Sequence, residues 1–93
     1  MESFQGFDWD LANIGHILRH TVTPMEVEEA ATRKIVVIPA QGVAGERRWK
    51  LFGRTAGGRY LVVVFTRRRS LFRTVTAYDM NVTERRKYGP QIE

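Results

Sequence analysis

From residue 11 onward the apolar positions recur with a helical period. Leu11, Ile14 and Leu18 stand at i, i+3 and i+7 with Ile17 beside them, so residues 11–20 read as a helix with one apolar stripe, capped by Asp10. Ahead of it, Phe7 and Trp9 flank Asp8 with period two, as a short strand or a hydrophobic lead-in. Thr21-Val22 interrupts with β-branched residues. Thr23-Pro24-Met25-Glu26 then forms a capping box with proline at the first helical position, which predicts a second helix to about Thr32. After Arg33-Lys34 the period changes. Ile35 to Ile38 reads as a short strand stopped by Pro39, and residues 40–46, with Gly42 and Gly45, as a loop. Arg47 to Thr55 alternates as a strand, Ala56 to Arg59 turns, and Tyr60 to Arg67 is a central strand apolar on both faces. Leu71 to Asp79 is the next strand. Asn81-Val82-Thr83-Glu84 is a second capping box, opening a short helix through Tyr88 that Gly89-Pro90 ends.

This order predicts an α+β fold in a single domain over residues 1–93. Two amino-terminal helices pack on an antiparallel sheet of about four strands, and a short helix follows. Short links between the last three strands imply a meander. Alternation puts Trp49, Leu51, Leu61, Val63, Phe65, Val75 and Ala77 on the face under the helices. The opposite face receives Arg48, Lys50, Phe52 and Arg54, then Val62, Val64, Thr66 and Arg68, then Phe72, Thr74, Thr76 and Tyr78. Cations, hydroxyls and rings of that kind make a bed for single-stranded nucleic acid. Arg73 falls on the helix side by simple alternation, so it lies at a rim or a bulge changes the phase.

Composition narrows the classes. At 93 residues with 43% hydrophobic content, the chain can build one thin core. The absence of cysteine removes disulfides, thiolate zinc sites and cysteine nucleophiles, and is compatible with a reducing cytosol. No apolar run reaches the length of a membrane span, and MESFQGFDWD does not read as a signal peptide. Charge is asymmetric: residues 1–31 carry a net −5 and residues 32–93 a net +10. A basic half of this kind attracts a polyanion, and its arginine content favours nucleic acid.

Several stretches then line up in order. Phe7-Asp8-Trp9-Asp10, Asn13, His16-Ile17-Leu18-Arg19-His20 and Val22-Thr23-Pro24-Met25-Glu26-Val27-Glu28-Glu29 resemble the amino-terminal half of BrnT-type toxins. Gly53-Arg54-Thr55, Gly58 to Val64, Thr76-Ala77-Tyr78-Asp79-Met80 and Glu84-Arg85-Arg86-Lys87-Tyr88 resemble the other half. The chain carries Asn13 where many members have Lys, and Tyr78 where they commonly have Arg. The resemblance implies a RelE-like ribonuclease toxin of a type II toxin–antitoxin pair, acting in the cytoplasm and neutralised by a cognate antitoxin. The implied substrate is RNA, free or on the ribosome. No membrane partner is implied, and DNA enters only indirectly, through the antitoxin complex.

RNA is cleaved when its 2′-hydroxyl attacks the adjacent phosphate, which needs a base, an acid and positive charge but no metal. The expected catalytic set is Arg54, Arg68, Arg73, Tyr78 and His20. In it Arg54 and Arg68 hold the phosphate, and Tyr78 or His20 moves the proton. Arg48, Lys50, Arg67, Arg69 and Arg85 are the expected RNA-binding cations. His16 and His20 at i, i+4 have a two-ligand metal spacing with no third ligand following, so neither metal nor cofactor is expected. Two other readings remain open. One is a non-catalytic binding module that kept the basic sheet. The other is an interaction protein that grips an acidic partner.

Overall fold

The computed structural model describes residues 3–93; Met1 and Glu2, which begin the acidic third of the chain, lie outside the described residues. In chain order the elements are β1 (Gly6–Phe7), α1 (Leu11–Leu18), α2 (Pro24–Ala31), β2 (Val36–Val43), β3 (Glu46–Arg54), β4 (Tyr60–Arg68), β5 (Leu71–Asp79) and α3 (Val82–Ile92). The strands form one sheet in the order β1-β5-β4-β3-β2. It has five strands rather than about four, and it is mixed. β1 adds in parallel to the β5 edge, where the Gln5 and Asp8 amides donate to the Ser70 and Phe72 carbonyls.

Two expected boundaries are corrected. Pro39 does not stop the second strand; it sits inside β2, opposite Trp49. β2 is an edge strand with β3 as its neighbour, so a missing N–H on the open side costs no ladder bond. The expected loop over residues 40–46 is instead the end of β2, a register irregularity between Ala40 and Val43, and a two-residue turn. Ala44 and Gly45 in that turn have φ of 52° and 80°, the twist a tight hairpin requires. At the other end, α3 does not stop at Gly89-Pro90 but runs to Ile92. Ile92 is buried and the Tyr88 ring stacks on Phe52 at 3.8 Å, which offsets the bond lost at Pro90.

The main core lies between the sheet and the first two helices. Ile17, Val22, Val27 and Ala30 meet Leu51, Leu61, Val63, Phe65, Phe72 and Ala77 there. Trp49 is half-buried at its margin and stacks on Phe65 at 5.7 Å. Gly53 lets α2 approach closely, since a Cβ there would stand 2.8 Å from the Ala30 carbonyl oxygen. α1 sits rotated from its expected orientation. Its buried positions are Asn13 and Ile17, while Leu11 and Leu18 of the apolar stripe are 91% and 53% exposed.

β5 carries the feature that re-sorts the sheet faces. Val64 pairs with Thr76 but Phe65 pairs with Thr74, so Val75 is an extra residue. Below this bulge β5 is turned over. Phe72 and Thr74, expected on the nucleic-acid face, are buried on the helix side, with Phe72 stacked on Phe65 at 4.1 Å. Val75, expected in the core, is only half-buried. Arg73 pairs with Thr66 on the opposite face; of rim and bulge, it is the bulge. That opposite face is itself partly roofed, because α3 covers Phe52 at the β3 end.

Phe65 stacks against both Trp49 and Phe72 and is 2% exposed. Phe65→Ala is expected to cost about 3–5 kcal/mol of unfolding free energy in urea titrations. A loss below about 1 kcal/mol would show that the aromatic cluster does not hold the core.

A candidate cationic site beside the first helix

Asn13 positions everything at this end of the sheet. It is 4% exposed, and its Nδ2 donates to the carbonyls of Asp8 at 2.8 Å and Thr74 at 3.1 Å. Its Oδ1 accepts from the Asp10 amide at 2.8 Å, while the Asn13 amide donates to Asp10 Oδ1 at 2.9 Å. This closes a capping box at the start of α1 and ties that helix to β5 beside the bulge.

His16 is one turn further along from Asn13. With Arg48, Thr66, Arg68 and Arg73 it lines an open recess of about 320 Å³. Arg73 forms ion pairs: its Nη1 lies 2.9 Å from Asp10 Oδ2 and 3.5 Å from Asp8 Oδ2, and its side chain is 16% exposed. Asp10 is held below the usual carboxylate range, first by the Asn13 amide and then by Arg73. Arg68 approaches Asp8 at 3.5 Å but keeps 58% of its side chain in solvent. Arg48 pairs with Glu46 at 2.9 Å. A larger groove of about 920 Å³ on the helix side is floored by Ile35, Val37, Trp49 and Phe65 and carries no imidazole or phenol.

From the recess a row of rings follows α1. The His16 and His20 centroids are 6.5 Å apart, and those of His20 and Tyr78 are 6.1 Å apart. Arg59 anchors the far end. Its guanidinium donates to the His20 carbonyl at 3.1 Å and the Thr21 carbonyl at 2.7 Å. It also pairs with Asp79 at 2.7 Å and Glu26 at 3.2 Å. Thr21 takes a φ of 56° in this turn. The Asp79 carboxyl is pulled below its ordinary value by Arg59, against the opposing effect of partial burial.

The structure therefore brings together Arg48, Arg68 and Arg73 of the expected residues. Lys50 lies on the same sheet face, opposite Val64, and His20 and Tyr78 adjoin at the other end of the row. The rest are elsewhere. Arg54 is six residues along β3 from Arg48, roughly 20 Å; its guanidinium lies over Tyr60 at 4.9 Å. Arg67 points the other way, over Phe4 at 4.9 Å. Arg69 sits in the β4–β5 turn with φ 57°. Arg85, on α3, covers Tyr60 at 4.2 Å. His16 and Thr66 belong to the recess and were not among the expected site residues. The sequence signal for His16 is its i, i+4 spacing with His20, which puts both rings on one face of α1. Among the described residues no group of three His, Asp or Glu comes together that could hold a metal ion, and no helix is long and apolar enough to cross a membrane.

These features define a small α+β domain with a cationic, histidine-bearing recess at one end of its sheet. Residues 9–84 match the family described as ribonuclease toxin, BrnT, of type II toxin-antitoxin system, and the chain belongs to that family. A search of the curated proteins finds no match.

Two outcomes follow from the anchoring contacts. Asn13→Ala leaves the Thr74 and Asp8 carbonyls without this donor and is expected to cost about 1–3 kcal/mol in urea unfolding; an unchanged midpoint would deny the clamp. Asp79 ionises more readily folded than unfolded. Its pairing therefore stabilises above the unfolded carboxyl value of about 3.9, and that stability is lost as pH falls through the lower folded value. In Arg59→Met the acid-side drop in urea midpoint below about pH 4 should be shallower than in the unaltered protein. Equal slopes would mean the Arg59–Asp79 pair contributes nothing to acid stability.

Proposed function

We propose that this protein is a metal-independent endoribonuclease toxin that cuts RNA by attack of a 2′-hydroxyl on the adjacent phosphate. A cognate antitoxin neutralises it. The observation that carries the reading is the recess itself. In a chain of a ribonuclease-toxin family, an imidazole and three guanidiniums share one open concavity. Guanidiniums match phosphate oxygens with forked N–H donors and remain charged at any working pH. Arg68, mostly in solvent, and Arg48 are the phosphate-holding groups. Arg73, paired with Asp8 and Asp10, adds fixed positive charge behind them. Charge placed in advance, where the pentacoordinate phosphorane develops, lowers the barrier without reorganisation in the reaction step. Proton transfer falls to the ring row on the α1 side. Arg54 is left out of this set because it lies at the far end of β3.

RNA cleavage assays test this directly. Arg48→Ala and Arg68→Ala are each expected to lower the rate about 10²-fold or more, with activity retained in EDTA. Loss of wild-type cleavage in EDTA would overturn the metal-free mechanism. Salt-sensitive RNA binding without cleavage would make the protein a binding module instead.

The antitoxin is proposed to neutralise by laying acidic groups over the same recess, matching the net +10 of residues 32–93. Arg48→Glu with Arg68→Glu should then weaken the complex with the antitoxin at least about tenfold by calorimetry. Undiminished affinity would place the antitoxin on another surface.

A further inference from the structure

The proposed cleavage needs a base at the 2′-oxygen and an acid at the leaving 5′-oxygen, on opposite sides of one phosphate. α1 offers two imidazoles one turn apart. His16 lines the recess and His20 follows the end of the helix, and both are exposed to solvent. Building on the nuclease reading above, we propose that His16 and His20 are the general base and general acid of a single cleavage step. They act on a phosphate that Arg48 and Arg68 hold beside α1.

Position supports the pairing. The ring centroids are 6.5 Å apart, so both imidazoles reach one phosphate from the same side, through hydrogen bonds bent off the in-line O–P–O axis. His16 faces Arg48 and Glu46 from β3, Arg68 from β4 and Arg73 from β5. His20 faces Tyr78 from β5 and has its carbonyl held by Arg59, which also pairs with Asp79. His16 lines the recess with Arg48 and Arg68, where the attacked phosphate is held, and is assigned as the base. His20, one turn further along beside Tyr78, is assigned as the acid at the leaving oxygen.

In the step, His16 takes the 2′-hydroxyl proton as the oxygen forms its bond to phosphorus. The bond from phosphorus to the 5′-oxygen breaks, its electron pair stays on that oxygen, and His20 supplies the proton. The products are a 2′,3′-cyclic phosphate and a 5′-hydroxyl. The net change on the protein is one proton moved from His20 to His16, restored by exchange with solvent at two exposed rings.

The test uses the full chain and an RNA cut by the wild-type protein, free or ribosome-bound. The cut sequence is remade with sulfur in place of the scissile 5′-oxygen, a leaving group that needs no proton. His20→Ala should cut the normal RNA about 10²–10⁴-fold more slowly than wild type and regain near wild-type rate on the sulfur substrate. His16→Ala should be slow on both. Because both rings are exposed, folding is checked simply by matching urea midpoints. Both variants within about threefold of wild type would overturn the inference while leaving the nuclease reading intact. Rescue of His16→Ala in place of His20→Ala would overturn the assigned roles. No RNA cleavage by the wild-type protein would overturn the nuclease reading and this inference with it.

Discussion

One hydrogen-bonded clamp at one irregularity decides what the rest of this molecule can do. β5 carries an extra residue at Val75, and the Asn13 amide closes onto the Thr74 carbonyl beside it. A bulge leaves backbone groups without ladder partners, and buried ones cost stability unless something else satisfies them. Asn13 does so while also capping its own helix, so one side chain fixes both the position of α1 and the phase of β5. Without the bulge, Phe72 would leave the core and Arg73 would enter it. With it, an aromatic stack closes one face of the sheet and a guanidinium reaches the other. Core and site are thus two consequences of the same inserted residue.

α3 then divides the basic face. Alternation assigns Arg48, Lys50, Arg54 and Arg68 to one surface, which is true of the backbone. Yet Phe52 lies under Tyr88, and the guanidiniums of Arg54 and Arg85 both lie over the Tyr60 ring. Those arginines lie over a ring, which holds their stems against apolar surface. The cations left to converge are the ones beyond the reach of α3. A count of positive charges therefore overstates the site, and the geometry of one helix reduces it to a single recess.

Much of the fold was legible because its signals are local. The three capping boxes at Asp10, Thr23 and Asn81 all form, two of them as read from their four-residue patterns. The alternation of Leu51, Leu61, Val63 and Phe65 gave the core face. What was not legible depended on partners distant in the chain. Pro39 reads as a stop until it is known that β2 is an edge. Gly89-Pro90 reads as a terminus until Ile92 is seen to be buried. Leu11 and Leu18 look like a core stripe, whereas the buried line of α1 runs through a polar residue, Asn13, whose fit depends on a carbonyl 61 residues away. The bulge itself leaves no residue-type signature, only the misplaced charge of Arg73. For the site, the arginines were visible as a class. Their sorting, and the inclusion of His16, required the tertiary contacts.

The recess is less positive than its arginines suggest. Arg48 has Glu46, and Arg68 and Arg73 share Asp8 and Asp10. Those carboxylates come from the acidic amino-terminal segment and from β3, so the charge asymmetry of the chain is partly neutralised where the two halves meet. This arrangement separates two tasks that a bare cationic patch would confuse. Long-range attraction of a polyanion comes from the basic half as a whole and weakens with salt. In the proposed reaction, local geometry comes from guanidiniums already paired with carboxylates, which reduces the reorganisation needed when a phosphate arrives. Arg68 is the hinge between the two, because its 3.5 Å approach to Asp8 is solvent-exposed and weak. Under the proposed function a phosphate displaces that contact at small cost, whereas the Arg73–Asp10 pair at 2.9 Å stays in place as the wall behind it.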